Sequence, residues 1–375
     1  MTHYFDNAAT TAVCEEAAIA SYKAMTEFYG NPSSLHKMGR EAKSIVDNAR
    51  KQISTALGCN PSELIFTSCG SESDNTAIIR GAELMKHKGK HIISSSVEHE
   101  AVLQSLKKLE ESGYEITLLS PERNGSISPE SVKNALRDDT ILVSLMTVNN
   151  ETGGITDIPA ISAVLKEAKS HALLHSDAVQ GFMKVPIRAK SFGADMISIS
   201  GHKIHAPKGT GALYVRSGIK IKPYILGGSQ ENGLRAGTEG VPQIAAFGAA
   251  AESAYRDMSS NIERMESIKK IITGGLKAID SVIVINDEAP HILSISLPGY
   301  RSEVIMNVLD AEGVCVSKSS ACKKGGRSHV LEAIGLDSRV IDGAIRISLS
   351  RFNTEEDAEA LINALSKASS TLKHR

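Results

Sequence analysis

Residues 141–146 read Ile141-Leu142-Val143-Ser144-Leu145-Met146, an apolar run interrupted by one small polar residue. A strand with one wet face alternates apolar and polar positions. A run without that alternation suits a strand covered on both faces, as in the middle of a parallel sheet. Outward from it, β-rich runs at Leu64 to Thr67, His91 to Ser95 and Glu115 to Leu119 precede, and Ala172 to Asp177, Asp195 to Ile199 and Ala212 to Val215 follow, most of them separated by helical periods. Seven such runs predict an α/β fold with a mostly parallel seven-stranded sheet and helices on both faces. Ligands of such sheets sit beyond the carboxyl ends of the strands, so the loops after these runs are where chemistry is expected.

Apolar stripes at helical spacing flank this core. One comprises Ala42, Ile45, Val46, Ala49, Ile53 and Leu57; another, Met258, Ile262, Met265, Ile268, Ile272, Leu276 and Ile279, leads away from the sheet. Beyond it lie strand-like runs at Val282 to Ile285, His291 to Leu297, Val314 to Ser317 and Ala344 to Ser348, a helix around Val304 to Leu309, and a last helix with Ala358, Leu361, Ile362, Leu365, Ala368 and Leu372 on one face. This pattern predicts a large domain over residues 1–259 and a smaller α+β domain over 260–375, with residues 1–15 free to pack on the second.

The chain has 375 residues, 41% hydrophobic and 23% charged, so it is long enough for a large core and has the composition of a globular protein. Lys+Arg 42 against Asp+Glu 43 leaves a net charge of −1, which excludes binding of nucleic acid or anionic membrane by bulk charge. Five scattered cysteines cannot form a disulfide framework and show no metal-ligand spacing, so no metal site is expected. Met1 to Thr11 lacks a basic segment followed by an apolar run, and no apolar stretch approaches membrane-spanning length; a cytoplasmic protein is expected.

The segment Ser198-Ile199-Ser200-Gly201-His202-Lys203 ends a buried strand in small residues and a lysine at the functional rim. A Schiff-base lysine needs its amine neutral, which desolvation and nearby cations promote; a surface lysine after a strand reads the same way. His175-Ser176-Asp177-Ala178-Val179-Gln180 places an acid at another strand end, where a carboxylate can hold a heterocyclic nitrogen protonated or can simply cap a helix. Pyridoxal phosphate needs both the lysine and the acid. Its phosphate suits Cys69-Gly70-Ser71-Glu72-Ser73, which opens a helix after a strand, with Ser200 and His202 adding donors. His99 can stack on a pyridine ring and exchange protons near neutral pH. Asn150, in a turn-like stretch, can reach the cofactor or the substrate. Cys322 lies among Lys323, Lys324 and Arg327 in a Gly- and Ser-rich loop, the setting of a reactive thiolate, whereas Cys315 inside a strand reads as a small core residue.

Together these segments resemble the cysteine desulfurases of the NifS/IscS type, within the fold type I pyridoxal-phosphate enzymes. The resemblance runs nearly end to end: Tyr4-Phe5-Asp6-Asn7-Ala8-Ala9, Gly30-Asn31-Pro32-Ser33-Ser34, Glu98-His99, Asn149-Asn150-Glu151, Asp177-Ala178-Val179-Gln180, Ser200-Gly201-His202-Lys203, Arg235-Ala236-Gly237-Thr238 and Ser319-Ser320-Ala321-Cys322 stand in family order. It implies that Lys203 carries the cofactor, Asp177 pairs with its ring nitrogen, Gln180 bonds its phenolic oxygen, and His99 stacks on it and moves protons. Gly70, Ser71, Ser200 and His202 would form the phosphate site, to which Thr238 would reach from the other subunit of a homodimer. Asn150 and Arg346 would bind the substrate carboxylate, a job suited to a forked guanidinium. Cys322 would be the nucleophile.

The implied reaction converts L-cysteine to L-alanine and leaves a persulfide on Cys322, for delivery to an iron–sulfur scaffold or a tRNA-thiolation enzyme. Ser71 stands where the family most often has threonine, an exchange that keeps the hydroxyl. The loop after Cys322 is shorter and more basic than is usual, which bears on the sulfur acceptor. Rival readings are a cysteine C–S lyase, a selenocysteine lyase or an aminotransferase on the same scaffold, and, from another class, a non-catalytic sulfur-trafficking scaffold.

Overall fold

The computed structural model describes residues 2–280, 282–318 and 327–371. Its strands are β1 (His3–Tyr4), β2 (Leu64–Thr67), β3 (His91–Ser95), β4 (Glu115–Leu119), β5 (Thr140–Ser144), β6 (Leu173–Asp177), β7 (Met196–Ser200), β8 (Gly211–Val215), β9 (Ile283–Asn286), β10 (Ile292–Ser296), β11 (Val314–Cys315), β12 (Ser317–Lys318) and β13 (Ala344–Ser348). Seven of them form the main sheet in the order β2-β8-β7-β6-β5-β3-β4. The pairs β3–β4, β3–β5, β5–β6 and β6–β7 are parallel, and β8 runs against both its neighbours. This is the expected fold class. Every residue of β5 is buried, as its unbroken apolar run requires.

Apolar side chains on the two sides of this sheet make separate cores. One contains Val143, Leu145, Ile197 and Ile199 with the helix Lys37–Leu57 and the helix Val241–Arg256; the other contains Ile92, Leu142 and Met196 with the helix Gly70–Met85. A second sheet, β12-β13-β10-β9, is antiparallel and packs with the helices Met258–Leu276 and Glu355–Thr371 around a core of its own. The predicted strand Val314 to Ser317 is two short strands instead. β11 pairs in parallel with β1, whereas β12 pairs with β13, because the chain passes from one sheet to the other at Val316.

The N-terminal segment joins the two regions. Phe5 is fully buried in the second core, and Phe5 N–H donates to the Cys315 carbonyl. Six residues later the chain is at the rim of the main sheet, where the Thr11 hydroxyl and amide both donate to the His202 carbonyl. Among the described residues no helix is long and apolar enough to cross a membrane.

Candidate active site

Strand direction sets the rim. β2 and β7 each run antiparallel to β8 and therefore parallel to one another, so β2, β3, β5, β6 and β7 all end along one edge. A cavity of about 310 Å³ opens there. Ten residues singled out from the sequence line it: Gly70, Ser71, His99, Asn150, Asp177, Gln180, Ser200, His202, Lys203 and Arg346. Thr238 lines a different cavity, of about 270 Å³, with Ser68, Arg235 and Gln243. Cys322 lies outside the described residues.

Lys203 is in the tight turn Gly201–Lys203 that ends β7, and its amine donates to the carbonyls of Ala8 at 2.6 Å and Ala9 at 2.8 Å. Asp177, at the end of β6, accepts from Val179 N–H at 2.9 Å. Burial pushes the Asp177 carboxyl above its ordinary range, against the opposing pull of His99 and Lys203. A cationic ring nitrogen beside it would restore the anion. His99 caps the helix Glu100–Glu111 by accepting Ala101 N–H through Nδ1 at 3.1 Å, which leaves Nε2 as the ring's donor.

The neighbouring helix start fits an anion. Gly70 opens the helix Gly70–Met85, and a Cβ there would come within 2.8 Å of the Val179 side chain, so only glycine allows so close an approach. Free amides and the helix dipole favour negative charge at this end. Ser200 Oγ is buried beside it and has no hydrogen-bond partner among the described residues, a state that a bound oxyanion would relieve. His202 is held neutral: burial, then the Lys203 cation, pulls its pKa down to about 4. The lysine, the buried acid and this cradle together fit a pyridine aldehyde carrying a phosphate.

Gln180 and Arg346 also have partners within the protein. Gln180 Nε2 donates to the Ala8 carbonyl at 2.8 Å, leaving its second N–H for any ring oxygen in the cavity. Arg346 bonds the Asn150 backbone carbonyl at 2.7 Å and the Asp6 carboxylate at 3.0 Å, while its buried Nε has no partner among the described residues. The Asn150 contact is through its main chain, which leaves the amide side chain out of that bond.

The sequence reading gave three acids of this region no role. Asp74, one turn into the Gly70–Met85 helix, is buried 3.7 Å from His175 Nε2, and burial followed by the Asp177 charge pushes its carboxyl well above the ordinary range. Glu98 is buried and accepts from Ser95 Oγ at 2.6 Å and Met146 N–H at 3.1 Å; burial pushes it up to about 8. Glu151, pushed up to about 7 by burial, accepts from the Ser328 hydroxyl. Asp74 was detectable by its four-residue offset from Gly70, which puts both on one helix face. Glu98 and Glu151 follow irregular loops, where spacing says nothing about burial.

The class of protein is a fold type I enzyme built for pyridoxal phosphate. The aminotransferase class-V family model matches residues 3–361. Cysteine desulfurase IscS of Dictyoglomus turgidum is 42% identical, over 97% of this chain and 93% of its own length. The IscS protein of Methanosarcina thermophila is 40% identical, over 96% of this chain and 90% of its own. A solved NifS-like protein superposes with a TM-score of 0.94 at 36% identity, covering 99% of this chain and all of that one. SspA in complex with cysteine superposes with a TM-score of 0.82 at 34% identity, over 94% of this chain and 100% of its own. The chain belongs to the class-V aminotransferase family and, within it, to the pyridoxal-phosphate-dependent cysteine desulfurases of the NifS/IscS type.

Proposed function

We propose that the cavity at the carboxyl edge of the main sheet desulfurates L-cysteine to L-alanine, with Cys322 taking up the sulfur as a persulfide. The observation that carries this reading is the meeting of Lys203, the buried Asp177 and the unpartnered Ser200 hydroxyl in one cavity beside a helix start. Lys203 would hold the cofactor covalently, Asp177 its ring nitrogen, Gln180 its phenolic oxygen, and Gly70, Ser71, Ser200 and His202 its phosphate. Bound there, pyridoxal phosphate supplies an electron sink for the pair released at the substrate α-carbon. His99 would lie against the ring and carry protons through Nε2. Arg346 would turn its unpartnered Nε to the substrate carboxylate, with Asp6 and the Asn150 carbonyl fixing the guanidinium.

The relative bound to cysteine supports the substrate. A homodimer fits the placement of Thr238 in a cavity other than the one lined by the chain's own Lys203, which suits a residue serving the partner's phosphate. The division near residue 260 into two domains is supported by the separate core under the second sheet. The acceptor would be an iron–sulfur scaffold or a tRNA-thiolation enzyme. The test is incubation of purified protein with L-cysteine, with alanine assayed and intact mass recorded. The wild type is expected to make alanine and to gain sulfur on Cys322, and Cys322→Ser to lose both. Undiminished alanine from Cys322→Ser without added thiol would point to a C–S lyase, and no alanine from the wild type to a non-catalytic scaffold.

A further inference from the structure

Lys184 is a buried lysine that the proposed reaction does not use, only 7% exposed. It follows Met183, which adopts a left-handed φ of 60°. A non-glycine residue in that region is strained and persists where the surroundings require it, notably at functional sites. The turn directs Lys184 Nζ to Gln180 Oε1 at 3.4 Å. The opposite end of that amide, Nε2, donates to the Ala8 carbonyl at 2.8 Å, and the same carbonyl accepts the Lys203 amine at 2.6 Å. A continuous chain therefore runs from Lys184 through the Gln180 amide and the Ala8 carbonyl to Lys203.

The polarity of this chain decides the amide's orientation. Turned over, Gln180 would set its NH2 against the donors of Lys184 and its oxygen against the Ala8 carbonyl, replacing two attractive contacts with two repulsive ones. Burial, with the cations Lys203 and Arg346, pulls the Lys184 pKa down to about 7, so a full charge there is costly and its position is not one of electrostatic convenience.

We propose that Lys184 is a positioning residue that locks the Gln180 amide with its N–H groups turned to the Ala8 carbonyl and the cavity, so that one N–H is kept for the cofactor's phenolic oxygen. This rests on the assignment of the cavity to pyridoxal phosphate. It makes no contact with the reacting atoms and acts only through Gln180.

The test is a double-mutant cycle on the full chain, stripped of cofactor and titrated with pyridoxal phosphate, with affinity and the position of the visible absorption band both recorded. Lys184→Met and Gln180→Ala are each expected to weaken binding about tenfold, the effect of one hydrogen bond involving a charged or buried partner. The double variant is expected to bind no worse than Gln180→Ala alone, and Lys184→Met is expected to shift the band only while Gln180 is present. Multiplying effects, or an unaltered band in Lys184→Met, would overturn the proposal while leaving the cofactor site intact. Failure of the wild type to bind pyridoxal phosphate would instead overturn the site assignment itself. Should Lys184→Met not fold, Lys184→Leu, which also removes the donor, replaces it in the cycle, and the same criterion of additivity decides.

Discussion

At the scale of single residues, the site is unusual in how many carboxyls it buries within reach of one another. Burial, then the Asp177 charge, pushes the Asp74 carboxyl well above its ordinary range, burial pushes Glu98 up to about 8, and burial also raises Asp177 itself, at the end of β6. A neutral Glu98 has a measurable consequence. Its folded-state pKa lies above its ordinary 4.5, so the folded protein holds a proton that the unfolded chain gives up. Stability from this group is complete below the unfolded value and declines as pH rises toward 8. Glu98→Gln keeps an acceptor for Ser95 Oγ and Met146 N–H and cannot titrate. The variant should therefore gain on the wild type by about 2 kcal/mol between roughly pH 5.5 and 7.5. Urea melts of both proteins at the two pH values measure this, and a constant difference would show Glu98 ionised in the fold.

At the scale of elements, two helices set how closely the chain packs over the main sheet. The helices Lys37–Leu57 and Val241–Arg256 approach so closely at Gly248 that a Cβ there would stand 2.6 Å from Ala49 Cα and 2.7 Å from Ala49 Cβ. Alanine would improve helix propensity by about 1 kcal/mol, yet separating two packed helices costs about 1–3 kcal/mol, and the backbone of Ala49 cannot step aside. Gly248→Ala is therefore expected to lower the denaturation midpoint, and adding Ala49→Gly to recover part of the loss. A stabilised single variant would refute the packing argument. The stripe that announced the Lys37–Leu57 helix was readable because burial repeats every turn: Ala42, Val46, Ala49, Ile53 and Leu57 all face inward. β5 was readable for the opposite reason, since burial on both faces removes any period. The split between β11 and β12 was not, because Val314 to Ser317 is locally one β-rich run and only long-range pairing with β1 and β13 divides it. Likewise Lys203, Asp177 and His99 could be picked out as strand-end residues, whereas the shared Ala8 carbonyl lies 195 residues from Lys203 and belongs to a segment with no local sign of reaching the rim.

At the scale of the whole molecule, large apolar side chains remain in water where a single chain gains nothing from them. Ile19, Tyr22 and Met25, three apart on the helix Glu15–Thr26, are 47%, 62% and 55% exposed; Tyr29, Leu35 and Leu226, in loops, reach 69%, 91% and 77%. Isolated exposed apolar residues are ordinary, but a recurring helical stripe is the composition of an interface. A second copy of the chain is the occupant that would also give Thr238 a phosphate to reach. Sedimentation should therefore report twice the 40.0 kDa chain mass. Leu35→Asp combined with Leu226→Asp should move the protein toward the monomer, since each buried leucine contributes about 1.5–3 kcal/mol and a charge in its place must be desolvated. If Thr238 serves the partner's site, cofactor affinity should fall in step with dissociation and recover at high protein concentration. A dissociated variant that keeps full cofactor affinity would show that each chain completes its own site.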